Sequence, residues 1–308
     1  MKNLLNKKNS IILLTTILVI LVFSNSKTRF KISRLILSHE LSILPNLVFK
    51  KINNLNRLDM YDAENKQKSA IILSQYVYEH TLPIEVNLDD GASWKLLHGS
   101  IWCDGVSDIF NRLLEVNETR SYITFLYNDE NVSPHTINFV DFLDQSLVND
   151  RNSSLEKQTL FIFDTQNNYK PINKEGKVVN IDYMLNNKIE FRSMEKLDSD
   201  NLYLNLLEND KGQLWDRNIF GEQNSFIRNI SKKIVKYFPN FIFESLVKIA
   251  IFINPELEKN YKSYLFARFE HVMLNYSSAL IKYQKLKEAN IYSLEAQKWI
   301  ERIKKFNI

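Results

Sequence analysis

The sequence predicts an α+β fold, in which one strongly amphipathic helix packs on a small antiparallel sheet and a mainly helical C-terminal region follows. Three observations carry this. From Cys103, the apolar residues Val106, Ile109, Phe110, Leu113 and Leu114 recur at helical spacing. Three short β-branched and aromatic runs come next, Ser121–Tyr127, His135–Val140 and Leu160–Phe163, separated by Asn/Asp/Ser-rich turns. Beyond about Asn201 the period returns to that of helices.

Composition narrows the class. The 308 residues are long enough for one large or two ordinary domains, each with its own core. Six glycines and six prolines amount to about a third of average usage, which argues against linker-rich or turn-dense architectures. A single cysteine excludes an intramolecular disulfide framework and any multi-cysteine zinc or iron–sulfur centre. The net charge of +4 is segregated: residues 1–34 hold seven Lys/Arg and no acid, residues 228–308 hold fifteen Lys/Arg against seven Glu, and the middle is acidic.

Taken in order, Lys2, Lys7 and Lys8 precede an unbroken run, Ile11–Phe23, that ends at Ser24-Asn25-Ser26. A basic start, an apolar run and a small-residue end form the pattern of a secretory signal. The run spans only ~20 Å as a helix against a hydrocarbon core of ~30 Å, although extension from Ser10 to Ser26 suits an uncleaved anchor. Residues 1–26 are therefore expected to be a signal peptide or an N-terminal membrane anchor, and the protein exported, either anchored or secreted.

Residues 27–62 read as a stalk or helical lead-in, interrupted at Pro45. A helix is predicted from Ala63 to His80, stopping before Leu82-Pro83. Asp89-Asp90-Gly91 signals a turn, and Trp94–Leu97 is ambiguous. In the tail, Pro239 divides Ile230–Ile253, Tyr264–Leu286 shows one apolar face, and Ile291–Phe306 gives a partner helix antiparallel to it. The expected organisation is a catalytic-type α+β domain over 63–200 and a helical, basic region over 201–308.

The chemistry centres on Cys103. At a helix start, free backbone N–H groups and the positive end of the helix dipole favour thiolate, the nucleophilic form. A nucleophile of this kind needs a base and a group that orients the base. His135 opens one predicted strand and Asp164 closes another, 32 and 29 residues further along in turn. Adjacent antiparallel strands packed on the helix would bring the three together. A papain-like spacing, with the histidine ~130–150 residues downstream, is not met, because His271 lies inside an apolar helical stripe. His39, His80, His98 and His271 read as structural or exposed. A metal site drawn from His135, Asp89, Asp90 and Asp164 lacks ligand spacing.

The stretches Gly99-Ser-Ile-Trp-Cys103-Asp-Gly-Val-Ser-Asp-Ile-Phe-Asn-Arg-Leu-Leu114, Pro134-His135-Thr-Ile-Asn-Phe-Val140 and Phe161-Ile-Phe-Asp164-Thr resemble the transglutaminase-like superfamily. The resemblance covers about residues 65–190. It implies Cys103 as nucleophile, His135 as general base and acid, and Asp164 as the group that fixes the imidazole. This chain has Thr165 where that family usually has Pro, and Phe161 where it has Trp. The Trp102 indole and the Cys103 backbone N–H are candidate oxyanion donors. The implied reaction is thiol acyl transfer on the amide of a peptide or protein, by hydrolysis or transamidation, without metal or organic cofactor. The alternative is an inactive transglutaminase-like envelope module that binds a peptide or glycan. The basic C-terminal helices suggest contact with an anionic membrane or cell-surface polymer, and an exported chain is not expected to bind nucleic acid.

Overall fold

The computed structural model describes residues 24–38, 41–56, 63–83, 91–126, 135–142, 160–187, 213–216 and 225–306. The leader lies outside them except for residues 24–26, as do His39, Asp89, Asp90 and Tyr127. The fold is a mixture of helices and small sheets, the α+β class expected.

Helix α1 (Ser26–Ile36) starts at Asn25, whose side chain accepts the Lys27 and Thr28 N–H groups at 2.9 and 3.2 Å. Helix α2 (Ile43–Asn56) contains Pro45 in its first turn, where the missing N–H has no intrahelical partner to lose. Proline therefore does not interrupt this stretch as the sequence suggested. The lead-in is also core rather than stalk, since Leu44, Leu47 and Val48 are completely buried.

Helix α3 (Ala63–His80) has the predicted bounds, and β1 (Leu82–Pro83) follows it. The ambiguous Trp94 region is helix α4 (Ala92–His98), closed by Gly99 in a left-handed conformation with φ of 79°. Strand β2 (Ser100–Ile101) pairs in parallel with β1 and delivers the chain to α5 (Cys103–Val116).

Helix α5 is the centre of the molecule. Its predicted apolar face is buried, and so are Ser107, Asp108, Asn111 and Arg112 on its other sides. A helix covered all round needs its polar groups paired. Asp108 takes an ion pair from Lys95 at 2.6 Å, Asn111 accepts from Ser121, and Ser107 donates to the Thr136 carbonyl at 3.3 Å.

The sheet against α5 contains β3 (Arg120–Leu126), β4 (His135–Asp141), β5 (Leu160–Phe163) and β6 (Gln213–Asp216), in the order β5-β4-β3-β6 and antiparallel throughout. Strands β3, β4 and β5 match the three predicted runs. Strand β6 corrects the helical reading of the region after 201: four residues, Gln-Leu-Trp-Asp, extend the sheet beside β3. A short helix, α6 (Ile181–Asn186), packs near β5.

The tail forms α7 (Ser225–Tyr237), α8 (Asn240–Ile253), α9 (Lys259–Val272), α10 (Tyr276–Glu288) and α11 (Ser293–Lys305). The continuous face predicted over Tyr264–Leu286 belongs to two helices, because the chain reverses at Leu274, which has a φ of 59°. Helix α10 packs on α9 and α11, and α9 packs on α4, so the tail joins the same core as the sheet domain.

Candidate active site

Cys103 is the first residue of α5 and is partly exposed. Its N–H falls in the first turn, where backbone donors have no helical partner. Beside it, the Asp104 carboxylate accepts the Gly105 N–H at 2.7 Å. Two polar contacts hold the helix against the strand: the Ser107 hydroxyl on the Thr136 carbonyl, and the Asn138 amide donating to the Ser107 carbonyl at 3.1 Å. They bring the first residue of α5 to the first residue of β4, His135.

Register supplies the next contact. Asn138 pairs with Phe163 in the β4–β5 ladder. Continued by one residue, the ladder puts Asp164 across from Ile137, two positions from His135. Side chains two apart share a face of the sheet, so His135 and Asp164 are diagonal neighbours. His135 Nε2 lies 2.9 Å from Asp164 Oδ2. The Cys103 thiol lies close enough to the imidazole for each side chain to shift the other's protonation.

Asp164 is fully buried and His135 is 7% exposed. A buried carboxylate is costly unless it is hydrogen-bonded. Besides His135, it receives the Asn167 backbone N–H on Oδ1 at 3.2 Å and the Asn167 side-chain amide on Oδ2 at 2.8 Å. The backbone of Asp164 is fixed as well, through reciprocal bonds with Tyr169 at 2.8 and 2.9 Å.

These contacts displace both protonation equilibria. Burial alone would push the Cys103 thiol up, but the hydrogen bond and charge of His135, aided by the Thr136 hydroxyl, hold it below the ordinary thiol value. Burial alone would push His135 down. The hydrogen bonds that the imidazole donates to Asp164 and Cys103, together with their two charges, outweigh it and lift the imidazole to about 10. At neutral pH this arrangement favours thiolate beside imidazolium.

Trp102 directly precedes α5. Its carbonyl accepts the Val106 N–H at 2.9 Å, and the residue is 45% exposed. Thr165 is buried, with its hydroxyl 3.5 Å from that of Ser74 on α3. Phe161 packs edge-on against Phe142 with ring centres 4.9 Å apart.

Sequence reasoning missed Asn167. Its signal is the Asp-Thr-Gln-Asn turn directly after β5, where an Asp carboxylate accepts backbone N–H groups of the residues that follow. The other histidines lie elsewhere. His80 and His271 are fully buried with ring centres 4.6 Å apart, and burial drives both toward the neutral form, His80 down to about 3. His98 lines a cavity of about 310 Å³ with Trp94, Arg34 and Tyr261. Among the described residues, no cluster of three or more His, Cys, Asp or Glu is arranged to hold a metal ion.

No family model, no curated protein and no solved structure matches this chain.

Proposed function

We propose that the chain is a transglutaminase-like cysteine enzyme that performs thiol acyl transfer on amide bonds. The observation that supports this most strongly is the meeting of Cys103, His135 and a fully buried Asp164: His135 is hydrogen-bonded to Asp164 at 2.9 Å, and His135 and Cys103 shift each other's protonation. An inert buried cysteine has no need of an ionised partner, and a structural histidine has no need of a buried carboxylate behind it.

In the proposed reaction the Cys103 thiolate attacks the carbonyl carbon of an amide, and the carbonyl π electrons move to oxygen. The Cys103 N–H, and the indole of Trp102 one residue before it, are the candidate donors for that oxyanion. On collapse, the C–N bond breaks and His135 gives its proton to the departing amine, leaving a thioester on Cys103. Water or a second amine then attacks the thioester, His135 takes the proton of that nucleophile, and the acid or new amide leaves as the thiolate re-forms. Asp164 holds the ring orientation and its positive charge through both halves.

The first half is common to hydrolysis and cross-linking. The basic, apolar leader favours work outside the cytoplasm, on peptide or protein amides. The test is release of ammonia or amine from glutaminyl and other peptide amides, with and without an added primary amine. The wild-type chain should turn over while Cys103→Ser does not, and equal activity in the two would refute the proposal.

A further inference from the structure

We propose that α8, with the Tyr237–Phe241 joint leading into it, is a membrane-docking face that lies on an anionic bilayer. Helix α8 buries Phe243, Val247, Ala250 and Ile251 but leaves Phe241, Ile249 and Phe252 exposed, at 67, 42 and 69%. Positions 241, 249 and 252 fall on one helical face. The joint before it exposes two more aromatics, Tyr237 at 76% and Phe238 at 52%. Soluble surfaces seldom concentrate large apolar groups in this way, and aromatic side chains are favoured at the water–lipid boundary.

Two further observations identify the occupant as lipid. The first is charge. Across α1, α7 and α8 the sequence has nine Lys/Arg and one acid, Glu244, and Lys27, Lys31, Arg34, Lys233 and Lys236 are exposed. Exposed cations on α1, which packs on α8, and on α7, which ends at the joint, match anionic headgroups. The second is continuity. Helix α1 packs against α8, and the sequence directly before α1 is the apolar run Ile11–Phe23. A leader retained in a bilayer would bring α1, and with it α8, to the headgroup layer. A second copy of the chain would account for the apolar face alone, but not for the cations or the position beside the leader.

This inference does not rest on the proposed chemistry, and its test is made without that chemistry. In the full-length chain carrying Cys103→Ser, a single cysteine is introduced as Phe241→Cys, Phe252→Cys or, as control, Leu294→Cys on α11, where the leucine is 65% exposed. Each is labelled with an environment-sensitive fluorophore and mixed with vesicles of phosphatidylcholine and phosphatidylglycerol containing brominated lipid. An interfacial helix buries its apolar face ~5–10 Å, so labels at 241 and 252 should lose about half their emission while the label at 294 is unchanged. Vesicles of phosphatidylcholine alone should quench more weakly. Failure to associate with the anionic vesicles, or association with equal quenching at all three positions, overturns the proposal.

Discussion

The guanidinium of Arg268, on α9, occupies the space that a side chain on Gly99 would need. Arg268 is fully buried and donates to the carbonyls of His80 at 2.7 Å, Leu96 at 2.9 Å and Leu97 at 3.3 Å, and to His271 Nδ1 at 3.0 Å. Its other side lies over Trp299, 3.8 Å from the ring centre. A residue of the C-terminal helices thus caps the end of α4 and supports the turn that leads, four residues later, to Cys103.

Replacing Arg268 by Met keeps much of the packing but leaves those carbonyls without their donor. Unpaired buried polar groups cost ~1–3 kcal/mol each, so Arg268→Met should destabilise the fold by about 3 kcal/mol or more. Gly99→Ala combines a left-handed φ with a collision against the guanidinium and should cost about 2 kcal/mol or more. Urea unfolding measures both. A change below about 0.5 kcal/mol in either, the usual range of surface substitutions, would contradict this role.

Asn167 should act through Asp164 rather than on substrate. Asn167→Ala removes a side-chain donor from Oδ2, worth about 1 kcal/mol. Its thiol alkylation rate at neutral pH should fall about fivefold, with the pH inflection moved upward, while thermal stability changes little. An unchanged inflection would show that the Asp164 carboxylate does not need this support.

The pH dependence of stability has a defined sign. The folded pKa of His135, about 10, lies above its ordinary value near 6.5. Its contribution is therefore complete below about pH 6.5 and is lost as pH rises through about 10. Asp164→Asn removes the carboxylate that sustains it. The stability gap between wild type and Asp164→Asn, from urea midpoints, should be wide at pH 7 and narrower at pH 10.5. A gap that widens with pH would contradict the imidazolium assignment.

The sequence carried the site better than the tail. Helix α5 and strands β3 to β5 were legible because Val106 to Leu114 keep a helical period and the strand runs are dense in β-branched and aromatic residues. The Cys103, His135 and Asp164 contacts then follow from where those elements end. Strand β6 was not legible: Gln213–Asp216 is four residues long, and its strand state comes from pairing with β3. The reversal at Leu274 was hidden because Leu265, Phe269, Val272, Tyr276, Leu280 and Tyr283 preserve the helical spacing across it. Arg268 gave no signal, since a cation inside an apolar stripe reads as a surface residue until its carbonyl partners, more than 170 residues away in sequence, are placed beside it.

The pH profile of Cys103 alkylation by iodoacetamide, in wild type and in His135→Ala, tests the ionised thiol most directly. Wild type should react rapidly well below pH 8.5, the usual thiol range, and His135→Ala should react slowly there and recover only as pH passes that value. Coincident profiles for the two proteins, both rising near pH 8.5 or above, would contradict a thiolate sustained by His135 and Asp164.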